Sequence, residues 1–142
     1  MVKFFCDTNV LKLAKWLRFA GFDTMTRREL SISKIENVCQ KDKRIFITRN
    51  KGIRNFRASL EIISFENIDD QLKYFLSKYP FQKDLFGSRC LKCNVILKIS
   101  AKQAPILSQN QMKYCPRCGK YFWQGSHYQN MTEFLEWKMD NG

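Results

Sequence analysis

The chain has 142 residues, of which 25 are Lys or Arg and 13 are Asp or Glu, giving a formal net charge of +12. This length allows one medium domain, or a small domain with a metal-stabilised appendage. Because no apolar stretch approaches the length of a membrane span, we predict a soluble, cytoplasmic protein with no membrane partner. The excess of positive charge favours a polyanionic partner such as nucleic acid, and solubility alone is the alternative interpretation.

Residues 1–84 alternate between strand and helix patterns. Short apolar and β-branched runs predict four strands, at 3–6, 23–26, 44–48 and 60–64. Apolar residues at helical spacing predict three helices, at 10–20, 33–43 and 67–79. Because strands that alternate with helices usually form a parallel sheet, residues 1–84 are predicted to be an α/β domain.

Two Cys-x-x-Cys pairs, Cys90 with Cys93 and Cys115 with Cys118, are separated by 21 residues. Tetrahedral zinc takes four thiolates, and a two-residue spacer lets both sulfurs of a pair reach one ion. Disulfides and a redox Cys-x-x-Cys are the alternatives, and the turn-forming residues around both pairs favour zinc knuckles over either. We therefore predict a structural zinc site in a ribbon at 88–128. A second domain, 88–142, would combine this ribbon with a short helix from Thr132 to Met139.

Polar residues follow two of the predicted strands. Asp7 comes directly after the first strand and Asn50 shortly after the third, and in a parallel sheet both positions lie at the carboxyl edge, where function usually gathers. Clustered carboxylates at such an edge can hold magnesium or manganese for phosphodiester cleavage. A helix cap is the alternative role of Asp7. Asp23 begins the second strand, so it reaches this edge only if the preceding loop folds over.

Four segments resemble, in the same order, the motifs of one family: FCDTNVLKLAKWLRFAGFDT (5–24), RIFITRN (44–50), RCLKCN (89–94) and CPRCGKYFWQGSH (115–127). The family is the Mut-seven C-terminal ribonuclease domain, a PIN-like nuclease fold followed by a zinc ribbon. The resemblance implies a PIN-like (Rossmann-like) parallel sheet, RNA as the substrate and magnesium or manganese as the catalytic cofactor. It also implies that Asp7, Asp23 and position 50 are the metal-site residues.

The chain departs from the family motif at Asn50, where the family carries aspartate. An asparagine keeps an oxygen that can ligate a metal but lacks the charge that attracts a divalent ion. Three explanations stay open: one ion suffices, Asp69 or Asp70 supplies a further carboxylate, or the protein binds RNA without cleaving it. An adaptor for acidic protein partners and a homodimer or larger assembly also remain open.

Cationic side chains near the predicted carboxyl edge would suit an RNA backbone. The predicted substrate-binding residues are Lys15, Arg18, Arg49, Lys51, Arg54, Arg57 and His127. Four of these cations fall within the nine residues 49–57, together with Phe56, which favours nucleic-acid contact there. Lys15 and Arg18 could equally belong to a solvated helix face. His127 is the single histidine, and the resemblance implies a substrate or structural contact for it.

Overall fold

The computed structural model describes residues 1–101 and 112–140, except the side chains of residues 139 and 140. Four parallel strands form one sheet in the order β2-β1-β3-β4. The strands are β1 (Lys3–Cys6), β2 (Thr24–Thr26), β3 (Arg44–Thr48) and β4 (Leu60–Ile62). The predicted parallel α/β sheet is therefore confirmed, with β1 and β3 at its centre.

Each crossover between the strands contains a helix or a long turn. A short 3-10 turn (Thr8–Val10) leads into α1 (Leu11–Phe19), which returns the chain to β2. The helix α2 (Ile32–Asp42) connects β2 to β3, and α3 (Ile68–Lys78) follows β4. Both start at a side-chain cap: the amide of Lys34 donates to Ser31 Oγ, and the amide of Asp70 donates to Asn67 Oδ1. These caps satisfy N–H groups that have no partner within the helix.

The two faces of the sheet are covered by different apolar clusters. Because side chains alternate along a strand, Phe4 and Phe5 point to opposite faces. Phe4 packs with Leu17 of α1 and Phe75 of α3, whereas Phe5 packs with Ile35 of α2. The side chains of Phe4, Phe5, Leu17 and Phe75 are fully buried. The central strand β1 is thus apolar on both faces, as expected in a parallel sheet.

The ribbon is a separate antiparallel sheet with the order β5-β6-β7. Its strands are two residues each: β5 (Lys98–Ile99), β6 (Lys113–Tyr114) and β7 (Tyr121–Phe122). Three such short strands bury little apolar surface, so their stability depends on the cysteine cluster and on contacts with the larger half.

The C-terminal helix, α4 (Ser126–Asp140), starts six residues before the predicted Thr132. Its first turn contains Tyr128, which lies at helical spacing from Met131 and Leu135 and which the predicted start left out. Met131 and Leu135 are buried in the same cluster as Phe4, and Lys138 Nζ lies 3.0 Å from Asp69 Oδ2 on α3. The helix therefore packs against the α/β half. Within the described part of the chain, no helix has the length and apolar character needed to cross a bilayer.

Candidate metal centres

Asp7 lies at the carboxyl edge of the sheet, directly after β1. Its backbone amide donates to the carbonyl of Ile47 in β3 at 2.9 Å, so the β1–β3 ladder continues to this residue. One carboxylate oxygen, Oδ1, accepts from the amide of Thr8 at 2.8 Å, and the other, Oδ2, accepts from Thr48 Oγ1 at 2.7 Å. Asp7 thus caps the 3-10 turn through one oxygen and is tied to β3 through the other.

Thr48 connects the polar groups of this edge. Its hydroxyl donates to Asp7 and accepts from the amide of Asn50 at 3.0 Å and from Asn9 Nδ2 at 3.4 Å. A hydroxyl has one donor and two acceptor positions, and all three are used here. Asn50 Oδ1 accepts from the amide of Gly52 at 2.9 Å, which leaves it a second lone pair. The structure therefore brings Asp7 and Asn50 together through a buried threonine.

Asp23 lies at the opposite, amino edge, and this corrects the prediction that it surrounds one metal ion with Asp7 and Asn50. Asp23 immediately precedes β2, whose first residue Thr24 pairs with Phe4. The carbonyl of Asp23 accepts from the amide of Phe4 at 2.8 Å. Asp7 is four residues beyond Lys3 along the neighbouring strand, a separation of about 13 Å at the usual rise.

The carboxylate of Asp23 is bound by two partners at the amino edge. Its Oδ1 accepts from Arg44 Nη1 at 2.8 Å and from Asn94 Nδ2 at 2.6 Å. Arg44 is 6% exposed and also donates from Nε to Asp42 at 2.7 Å. Burial raises the pKa of Asp23, but the hydrogen bonds from Arg44 and Asn94 outweigh it and hold the pKa below its ordinary value. Asp23 is therefore a charged, compensated group at neutral pH.

Arg18 was predicted to bind substrate, and its surroundings correct that prediction. The side chain is buried and donates to carbonyls in both halves of the protein. Its Nε donates to Thr24 O at 2.8 Å, and its Nη1 donates to Leu91 O at 2.8 Å and to Lys92 O at 3.2 Å. The guanidinium thus joins β2 to the first cysteine pair and is not available to a phosphate.

The four cysteines form a site that can hold a structural metal ion such as zinc. Their sulfurs all lie within 4.8 Å of one another, and those of Cys90 and Cys118 are 3.8 Å apart. The amide of Cys93 donates to Cys90 Sγ and the amide of Cys118 to Cys115 Sγ, both at 3.4 Å. In residues 1–101 and 112–140, this is the one group of at least three histidine, cysteine or carboxylate side chains close enough to share an ion. Four thiolates with amide donors match the ligand chemistry of zinc.

The two cysteine pairs have the same backbone geometry. The residue after each second cysteine, Asn94 or Gly119, has a positive φ, of 71° or 78°. In each case its amide donates to the carbonyl of the first cysteine of its pair at 2.8 Å. Burial raises the pKa of Cys115, but amide hydrogen bonds from Cys118 and Arg117 lower it to about 7. The amide donors favour the thiolate in both turns, but at Cys90 burial outweighs them and its pKa is raised.

Asn94 is a site residue that the sequence-based interpretation missed. Besides donating to Asp23, its side chain accepts from the amide of Thr24 through Oδ1 at 2.9 Å. The first cysteine pair is thereby hydrogen-bonded to the free edge of β2. The sequence does hold a signal for Asn94: it follows the second cysteine of its pair, as Gly119 does, and asparagine often replaces glycine at positive φ.

The segment 49–57 begins at the carboxyl edge, directly after Thr48, and ends against α2, where the amide of Arg57 donates to Glu36 and its carbonyl accepts from Gln40. Lys51, Arg54 and Arg57 are exposed, and so is Lys15 on α1. Arg54 Nη1 donates to the carbonyls of Lys51 and Ile53 at 2.8 and 3.1 Å, which fixes its guanidinium. Arg49 Nε is buried and has no hydrogen-bond partner within the described residues.

His127 lies in the first turn of α4 and is exposed. It does not belong to the cysteine cluster and instead lines a cavity between the ribbon and the α/β half, with Trp123 and Tyr128. The structure thus places His127 at this cavity, beside aromatic side chains, and not at the edge that carries Asp7.

The chain thus combines a parallel α/β sheet that carries a carboxylate at its carboxyl edge with a four-cysteine ribbon that can hold a metal ion. Over residues 2–135 the sequence matches the family model described as Mut7-C RNAse domain. The match covers nearly the whole chain, and the protein therefore belongs to the Mut7-C RNase domain family. Neither the curated proteins nor the solved structures contain a match to it.

Proposed function

We propose that the protein cleaves RNA phosphodiester bonds at the carboxyl edge of its parallel sheet, in a reaction that depends on magnesium or manganese. The observation that carries the proposal is the carboxylate of Asp7, which Thr48 fixes at 2.7 Å beside the cationic segment 49–57. Membership of an RNase domain family supports RNA as the substrate class.

The oxygens at this edge fit one hard cation better than two. Magnesium is commonly held by one or two carboxylates, with waters and substrate phosphates completing an octahedron. Asp7 supplies one carboxylate, and Asn9 and Asn50, which both donate to Thr48, offer neutral amide oxygens in their side chains. Such an ion would activate a water and stabilise the charge of the leaving oxygen.

The chain's own residues would orient the RNA. Thr48 keeps the Asp7 carboxylate in one position because its hydroxyl is fully used. The phosphates on either side of the cleaved bond would contact Arg54 and Arg57, and the exposed Lys51 and Lys15 would add positive charge. The guanidinium of Arg54 is already fixed by two carbonyls, so little side-chain freedom is lost on binding.

RNA binding without cleavage is the second candidate function, and a specific observation favours it. Within the described residues no other carboxylate forms a metal-type group with Asp7, since Asp23 is bound to Arg44 and Asp69 to Lys138. Asn50 carries no charge, so the site would attract a divalent ion weakly. The two candidates differ in catalysis and share the RNA-binding surface.

Two substitutions separate these candidates. We expect Asn50→Asp to raise magnesium- or manganese-dependent cleavage of single-stranded RNA by about tenfold or more, because the second carboxylate strengthens ion binding. Asp7→Ala should abolish cleavage. Asp84→Ala, which removes an exposed acid in the turn before the ribbon, is the matched control and should cleave as the wild type does.

The measurement is the rate of cleavage of a labelled RNA under single-turnover conditions, together with RNA affinity from fluorescence anisotropy. If wild type and Asn50→Asp both bind RNA and neither cleaves it with either ion, the nuclease proposal fails and the binding function stands. If neither binds RNA at low salt, both candidates fail.

A further inference from the structure

A cavity of about 390 Å³ lies between the ribbon and the α/β half, away from the carboxyl edge. Its floor includes Phe19 at the end of α1 and Phe86 in the turn that follows α3, with ring centroids 5.9 Å apart. Tyr128 of α4 stands against Phe19 at 5.5 Å between centroids. The volume falls within the range of small-molecule sites, and the walls are aromatic.

Trp123 forms a wall of this cavity and is 41% exposed. Its indole lies directly on Gly125: a Cβ at Gly125 would be 2.6 Å from Nε1 and 2.9 Å from Cδ1 of the ring. Only glycine allows so close an approach, which means that the indole is supported on one side by backbone. An aromatic ring that is positioned but not buried offers a face on which a planar group can stack.

The cavity also carries positive charge and neutral hydrogen-bonding groups. Lys113, Lys120 and Arg89 line it, and so do Gln124 and His127. An aromatic pocket bordered by cations is complementary to a nucleotide, whose base is planar and whose phosphate is anionic. The amide and imidazole groups can hydrogen-bond with the edge of a base.

A second groove, of about 640 Å³, continues the charge from this cavity. Arg89 lines both, and the second groove adds Lys92, Arg117 and Arg27. Arg27 directly follows β2, so this groove extends along the free edge of the sheet toward its carboxyl end. A chain of cations thus connects the aromatic cavity with the edge that carries Asp7.

We propose that the cavity binds one unpaired base of a single-stranded RNA by stacking it on Trp123, while Lys113 and Lys120 contact the neighbouring phosphates. This inference rests on the proposed function and adds a base-binding site remote from the cleaved bond. The helix α1 spans nine residues between the two regions, a length of about 14 Å, so the stacked base belongs to a different nucleotide from the one that is cleaved.

The test compares a fluorescein-labelled ten-residue oligouridylate with a ten-residue ribose-phosphate strand that lacks all bases. Anisotropy titrations at one salt concentration, with no added magnesium or manganese, give both affinities. We expect the wild type to prefer the strand with bases by roughly 5- to 150-fold, the effect of one base–aromatic stack. Trp123→Ala should lose most of this preference. Trp137→Ala is the matched control, because this tryptophan is 56% exposed on α4 and outside the cavity, and it should keep the preference.

One bound zinc per chain, measured on each variant, establishes that the ribbon is intact. Equal affinity of the wild type for the two strands, or an unchanged preference in Trp123→Ala, would overturn the inference and favour a protein side chain as the occupant of the cavity. A base preference without metal-dependent cleavage would contradict the nuclease proposal alone. Cleavage without a base preference would contradict the cavity inference alone.

Discussion

Asp23 at the amino edge of the parallel sheet and Asp7 at the carboxyl edge differ in how their charge is compensated. At the amino edge, Asp23 accepts from the guanidinium of Arg44 at 2.8 Å and from Asn94 at 2.6 Å. At the carboxyl edge, Asp7 accepts from a hydroxyl and a backbone amide. An acid that already has a cation in contact stabilises the fold, whereas an acid held by neutral donors keeps its charge for an external cation.

The amino edge is also the edge that contacts the ribbon. Arg18 and Asn94 connect the first cysteine pair to β2 through hydrogen bonds of 2.8 to 3.2 Å. No such bond is found between the described ribbon residues and the segment 49–57. A metal ion at the four cysteines should therefore stabilise one edge of the sheet far more than the other.

Loss of the ribbon's metal should change the relative stability of the two edges more than any substitution discussed below. Structural zinc contributes about 10 kcal/mol or more to the folding of small ribbons. We expect Cys115→Ser to abolish zinc binding and to raise amide hydrogen exchange throughout the ribbon and in β2, while exchange in segment 49–57 stays close to that of the wild type. Hydrogen exchange with mass spectrometry gives both regions in one experiment.

Cys39→Ala, in α2, is the control for this variant, since it removes a thiol outside the cluster. It should retain one zinc per chain. Unchanged protection of β2 in the zinc-free Cys115→Ser protein would contradict the coupling between the ribbon and the amino edge.

Removal of each aspartate in turn sharpens the difference between the edges. Asp23→Ala leaves Arg44, 6% exposed, without one of its carboxylates, and we expect a loss of about 3 kcal/mol in the free energy of unfolding. Asp7→Ala removes a cap and one hydroxyl hydrogen bond, and should lower it by about 1 kcal/mol. Urea denaturation measures both, and a larger loss for Asp7→Ala would reverse the interpretation of the two edges.

The sequence predicted the sheet well because the strand signal is local. Phe4, Phe5 and the apolar run of β3 indicate central strands without reference to any distant residue. The cysteine cluster could be predicted equally well, because a two-residue spacer is the spacing that lets both sulfurs of a pair reach one metal ion. The order of strands and helices then followed from general rules of α/β folds.

The roles of Arg18 and Asp23 could not be predicted from local sequence patterns, because residues 21 to 74 positions away decide them. Arg18 resembles an ordinary helix cation until Leu91 and Lys92 supply its acceptors. The family resemblance implied a metal-site role for Asp23, but the partners Arg44 and Asn94 come from β3 and the ribbon. Such long-range hydrogen bonds have no local pattern in the sequence.

Acid titration offers a smaller test of the amino edge. The pKa of Asp23 is lowered in the folded protein, so its charged form contributes stability above its unfolded pKa of about 4, and this contribution is lost as the pH falls through the folded value. We expect the wild type to be more stable than Asp23→Asn at pH 6 and the difference to shrink steadily below about pH 4. Urea denaturation of both proteins between pH 2 and pH 6 provides the measurement, and a constant difference would show that the pKa is not lowered.

The smallest predicted effect concerns the cations of the segment 49–57. If Arg57 contacts an RNA phosphate, Arg57→Ala removes that one contact. The slope of log affinity against log salt concentration should then fall in magnitude by about 0.7 for single-stranded RNA. The backbone of Arg57 is held by Glu36 and Gln40, so Arg57→Ala should keep the local fold. Lys73→Ala carries the same change of charge on an exposed residue of α3, which packs on the other face of the sheet. An equal change of slope in the two variants would mean that RNA senses the net charge of the protein; a change confined to Arg57→Ala would place a phosphate beside the segment 49–57.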